Sequence, residues 1–64
     1  MTGKTRRSIT FGRSDAHGVR VETVVCPAGT TVHVGRVRGR YCTARVAGTL
    51  FDQRVLITDI DPDI

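Results

Sequence analysis

The chain has 64 residues, 39% of them hydrophobic, and a formal net charge of +4. At this length it makes at most one domain and buries only about 60% of its unfolded surface, so a metal, a disulfide or a partner chain is a candidate source of further stability. The supply of Val and Ile excludes simple disorder, and no apolar run approaches the roughly 20 residues that span a bilayer.

Residues 1–7 read as a flexible basic arm, with Lys4, Arg6 and Arg7 set among Thr2, Gly3 and Thr5, which offer no packing anchor. The opening MTGKTRRSITFG lacks the apolar stretch and cleavage pattern of a secretory signal, so a cytoplasmic location is expected. A single β domain is expected over residues 8–60. Its first strand covers roughly Ser8–Arg13, with Ile9 and Phe11 on one face. Ser14–Gly18 (SDAHG) has the composition of a turn, because Ser and Asp bond to nearby backbone. Val19–Cys26 is a stronger strand. Val19, Val21, Thr23 and Val25 share one side; Arg20, Glu22, Val24 and Cys26 share the other, which grows more apolar toward its end, as in a strand that enters a core progressively. Pro27-Ala28-Gly29 then turns the chain.

Thr30–Arg38 sets Val32 and Val34 on one side. Strict alternation carries Arg36 and Arg38 onto that side too, beyond the core edge; a bulge near Gly35 switches the parity and leaves Val37 inward instead. Arg38-Gly39-Arg40 reads as a hairpin tip. The return strand Tyr41–Ala47 places Cys42, Ala44 and Val46 inward and Tyr41, Thr43 and Arg45 outward. Gly48-Thr49 makes another turn. In Leu50–Ile60, the run Val55-Leu56-Ile57 is apolar enough to form the most buried strand, and a short helical turn fits around Leu50–Arg54. Residues 61–64 read as an acidic tail. The expected fold is all-β, a small five-stranded antiparallel barrel or strongly curved sheet, SH3-like or OB-like in general form, since closure removes exposed strand edges. An open sheet completed by a second subunit is the competing architecture.

Catalysis needs a nucleophile or an acid–base group held by partners. His17 and His33 are the imidazoles and Cys26 and Cys42 the thiols, with no local nucleophile motif around any of them. The four match a Cys₂His₂ zinc site in number only, because none forms the short Cys-x₂₋₄-Cys knuckle. A Cys26–Cys42 disulfide requires Cα atoms within about 7 Å; in a reducing compartment, free and buried thiols are the expectation. Asp59, Asp61 and Asp63 alternate without a calcium-loop arrangement. The seven glycines are scattered through turns rather than gathered into a phosphate cradle. No catalytic residue, metal or cofactor is therefore expected.

Charge is distributed unevenly. Residues 33–48 carry Arg36, Arg38, Arg40 and Arg45 without an acid, while the last sixteen carry Asp52, Asp59, Asp61 and Asp63 against Arg54 alone. The expected function is non-catalytic nucleic-acid binding through the basic hairpin. Arg36, Arg38, Arg40 and Arg45 would meet phosphate, Tyr41 would stack on a base, and Lys4, Arg6 and Arg7 would add backbone contacts. Phe11, Tyr41 and Phe51 are the whole aromatic inventory, too few for a multi-base stacking platform. DNA and RNA are equally compatible. The alternative is an accessory or regulatory protein that binds a partner protein, or a second copy of itself, through the hairpin, an edge strand or the acidic-apolar tail.

Overall fold

Alternating β-branched residues, punctuated by turns rich in Gly and Pro, produce seven strands in the computed structural model, which describes residues 1–62. They are β1 (Thr2–Thr5), β2 (Ile9–Ser14), β3 (Arg20–Cys26), β4 (Thr31–Arg38), β5 (Tyr41–Val46), β6 (Asp52–Leu56) and β7 (Ile60–Pro62), with a 3₁₀ turn at Ile57–Asp59. All pairings are antiparallel, in the order β3-β2-β6-β5-β4-β1-β7. The all-β expectation holds. The five-stranded barrel does not: the ladder has seven strands, and its edges β3 and β7 do not pair to close it.

The two additional strands come from the segments read as arm and tail. Gly3, Lys4 and Thr5 pair with Pro62, Asp61 and Ile60, and Thr2, Gly3 and Lys4 pair with His33, Val32 and Thr31. Residues 1–7 are thus not a free arm, because β1 covers the edge of β4 that β5 leaves open. Close approach explains Gly3. A Cβ there would lie 2.9 Å from the Asp61 carbonyl oxygen, so a side chain would push β7 off. Of the expected tail, Asp61 and Pro62 belong to β7, and Asp63 and Ile64 lie outside the described residues.

The sheet is strongly curled. Laid flat, β3 and β4 would stand four spacings apart, about 19 Å. They are nevertheless joined by the four residues Pro27–Thr30, folded into a turn by a 3.3 Å bond from Thr30 N–H to the Pro27 carbonyl. Thr5 fixes this closure. Its backbone N–H donates to Thr30 O at 3.0 Å, and its carbonyl accepts from Gly29 N–H at 2.7 Å. Its buried hydroxyl donates to Pro27 O at 3.1 Å and accepts from Thr30 N–H at 3.2 Å. Curling encloses one face, where Ile9, Phe11, Cys26, Val32, Val34, Cys42, Ala44, Val55 and Ile60 form the core, with Phe51 and Val46 packed against it.

Two readings of local structure hold. Asp15 accepts from His17 N–H and Val19 N–H and organises the SDAHG turn. Along β3, Glu22 is exposed, Val24 is 38% exposed and Cys26 is buried, the progressive entry its pattern implied. One reading fails. Within Val55-Leu56-Ile57 only Val55 is buried; Leu56 alternates outward opposite Tyr41, and Ile57 starts the 3₁₀ turn. The helical turn therefore follows β6 rather than spanning Leu50–Arg54.

Thr5→Val keeps the shape but removes the two hydrogen bonds of the buried hydroxyl, while the Thr30 bonds to the Pro27 carbonyl remain, so at roughly 0.5–1.5 kcal/mol per bond urea denaturation should show a loss of about 1–3 kcal/mol. Val55→Ala should likewise cost roughly 1–3 kcal/mol through lost burial and a cavity. Ile57→Ala, on the exposed turn, should stay within about 0.5 kcal/mol in the same assay.

Candidate nucleic-acid interface

The outer face of β4, β5 and β6 has no core to cover, and its composition is cationic. Its register is set by a bulge: Val34 pairs with Ala44 and Val37 with Cys42, so Gly35 and Arg36 together oppose Thr43. This extra residue switches the parity after Val34. Val37 falls on the Cys42 side but stays 52% exposed rather than entering the core, while Arg36 and Arg38 turn outward, as the bulge reading anticipated. The hairpin closes through Gly39 and Arg40, with Arg38 paired to Tyr41. Gly39 has φ +57°, and among the described residues no non-glycine has positive φ. That is the pattern of a type II′ turn, whose first central position suits glycine.

Opposed residues on adjacent antiparallel strands share a face. One row across the strands is therefore Arg38–Tyr41–Leu56, and the next is Arg36–Thr43–Arg54. Arg54 lies over the Tyr41 ring, its guanidinium carbon 4.8 Å from the centroid. Arg36, Arg38, Tyr41, Thr43 and Arg54 line a groove of about 220 Å³. Further along, Arg45 is paired in register with His33 and Asp52, and its guanidinium donates to Thr49 O at 2.8 Å. Arg40 is exposed at the tip.

The described side-chain carboxylates are engaged with other arginines or with their own turn, Asp52 among them although it stands directly across the ladder from Arg45. Glu22 binds Arg13, Asp52 lies 4.0 Å from Arg20, Asp59 is 3.0 Å from Arg7, and Asp61 is 3.5 Å from Arg6. Asp15 is engaged by its own turn. Among the described residues, no carboxylate forms an ion pair with Arg36, Arg38, Arg40, Arg45 or Arg54.

The sequence-derived site residues thus divide. Arg36, Arg38, Arg40, Tyr41 and Arg45 share one hairpin and one face. Arg6 and Arg7 are offset by β7 and the 3₁₀ turn, and the hydrogen bond and charge of Asp59 raise the pKa of Arg7 above its already high value. Lys4 pairs in register with Thr31, about 23 Å along β4 from Arg38. Arg54 was missed, because the acidic run around it drew attention to the tail. The signal was present: a two-residue turn at Gly48-Thr49 reflects Arg54 directly onto Thr43, the register observed.

Other candidate chemistry does not assemble here. Cys26 and Cys42 are free and buried, and burial pushes the Cys42 thiol up, keeping it protonated. His33 faces outward with Arg45 and His17 sits on an exposed turn, so neither converges with the inward thiols. No group of three or more His, Cys, Asp or Glu converges among the described residues. None of these residues forms a helix long and apolar enough to cross a membrane. Compared with known proteins, the chain matches no family model, and no curated protein or solved structure matches it.

Proposed function

We propose that the chain is a small non-catalytic nucleic-acid-binding protein that grips phosphate with the outer face of β4, β5 and β6. The curled sheet serves as a rigid scaffold, SH3-like or OB-like in general form. One observation carries the reading: Arg36, Arg38, Arg45 and Arg54 on this face and Arg40 at its tip form no ion pair with any described carboxylate, Asp52 across from Arg45 lying 4.0 Å from Arg20. Guanidinium forks match phosphate oxygens bidentately, and their exposure keeps the desolvation cost low. Arg36, Arg38, Arg40 and Arg54 supply the contacts, and Tyr41 offers an aromatic surface between them.

With about four phosphates contacted, a roughly fourfold rise in salt should lower affinity on the order of 10²-fold. Replacing Arg36, Arg38 and Arg40 with Gln should leave the fold intact and reduce the salt slope by roughly 2–3. The measurement is titration of DNA and RNA oligonucleotides at several salt concentrations. Unchanged retention by the folded triple variant overturns the assignment.

A second reading has its own support. Among the described residues β3 pairs only with β2, which leaves the other edge of this seven-residue strand open, and Val21 and Val25 on it are 49% and 67% exposed. An extended strand from a protein partner, or from a second copy, would satisfy that edge. Self-pairing should appear as a concentration-dependent rise in sedimentation coefficient that Val25→Lys abolishes. A monomer at every concentration removes the second copy as the occupant.

A further inference from the structure

The ladder has a breach. Among the described residues β2 and β6 are joined by a single pair, Gly12↔Asp52. Continuing that register would set Thr10 opposite Arg54 and Ile9 opposite Val55. The strands instead diverge and leave a cleft of about 400 Å³ between these same segments. Ser8, Thr10 and Gln53 supply hydroxyl and amide groups to its walls, and the buried side chains of Ile9 and Val55 lie at its base. Arg7, held by Asp59, and the Tyr41–Arg54 pair complete the lining.

We propose that this cleft receives one unpaired nucleobase from a strand whose phosphates lie on the cationic face. The inference rests on the phosphate-binding reading and narrows it to single-stranded or locally unpaired nucleic acid. Three features fit a base. Tyr41 and Arg54 line both the cleft and the arginine groove, so a base and its adjoining phosphates can be held together. Ser8, Thr10 and Gln53, with the diverging strand edges, offer donors and acceptors to a base edge. The size suits a single small-molecule moiety rather than a stacked series. An extended peptide fits less well. It would need about 9.6 Å between β2 and β6 along its whole length to pair with both, whereas the cleft narrows to the Gly12–Asp52 contact. Duplex nucleic acid keeps its bases stacked inside and cannot enter without extruding one.

Tyr41 is the sole tyrosine and tryptophan is absent, so intrinsic emission reports on the cleft mouth directly. Short single-stranded oligonucleotides and the matching duplexes are titrated at one fixed salt concentration against the full chain. The expected results are quenching of Tyr41 by single strands only, and single-strand affinity about 10-fold above duplex, the difference roughly two hydrogen bonds supply. Thr10→Val combined with Gln53→Leu should erase that preference while leaving duplex affinity and the salt slope unchanged, with folding checked by circular dichroism. Equal binding of both forms, abolished by the Arg36, Arg38 and Arg40 replacements, overturns the cleft proposal and leaves the phosphate reading standing. Binding of neither form overturns both. A preference that survives the cleft variant places the base elsewhere and also overturns the proposal.

Discussion

Thr5 holds the fold's central constraint. A sheet of seven short strands has two faces, and a chain of 64 residues has enough apolar side chains for only one of them. Curling resolves the shortage by turning that face in on itself, and the curl is retained because the end of β1 is bonded through backbone and side chain to the Pro27–Thr30 turn. The buried hydroxyl is fully satisfied there, so its burial carries little penalty. The same contact aligns β1 between β4 and β7, which covers the open edge of β4. Ladder, core and edge protection therefore meet at one residue.

The proposed binding face is the converse of that arrangement. Core residues on β4, β5 and β6 fix the register, so the intervening outward positions are released from packing duty. The bulge at Gly35 and Arg36 is what assigns arginine to those positions. Without it, Arg36 and Arg38 would share the side of Val34 and compete with the core, as strict alternation of the sequence implies. A local irregularity of the backbone thus decides the electrostatics of the molecule.

Much of this was legible in the residues. Period-two alternation located β2 to β5 and the inward residues Ile9, Phe11, Val32, Val34, Cys42 and Ala44, and Asp15, Pro27, Gly39 and Gly48 marked the turns, because those signals are local. The terminal strands were hidden because Thr2–Thr5 and Ile60–Pro62 have too little apolar content to identify themselves. They are strands because they pair with each other and with β4, a relation between residues some 30 to 60 positions apart. The run Val55–Ile57 misled for a related reason. Hydrophobicity indicates burial only when parity is known, and the parity of β6 sends Leu56 outward. The hairpin half of the site was readable since its members are neighbours in sequence; Arg54 and the β2–β6 cleft depend on register and on strand divergence.

The neighbours of the arginines on β4, β5 and β6 favour the proposed binding role over a purely solubilising one. A solubilising surface intersperses both signs of charge, which lowers the self-repulsion of the folded state. Here four carboxylates form ion pairs among the described residues, with Arg6, Arg7, Arg13 and Arg20, and Asp52, across the ladder from Arg45, is one of them. On the outer face of β4, β5 and β6, Arg36 and Arg38 lie two residues apart on one strand and Arg54 lies beyond Thr43 from Arg36, so like charges gather there without an ion-paired acid and repel one another. The Tyr41 ring beneath Arg54 and the Thr49 carbonyl beside Arg45 relieve part of that repulsion. The remainder is a cost of the free protein that solubility does not require. An anionic ligand removes it on binding, which is the physical reason to regard the face as a site.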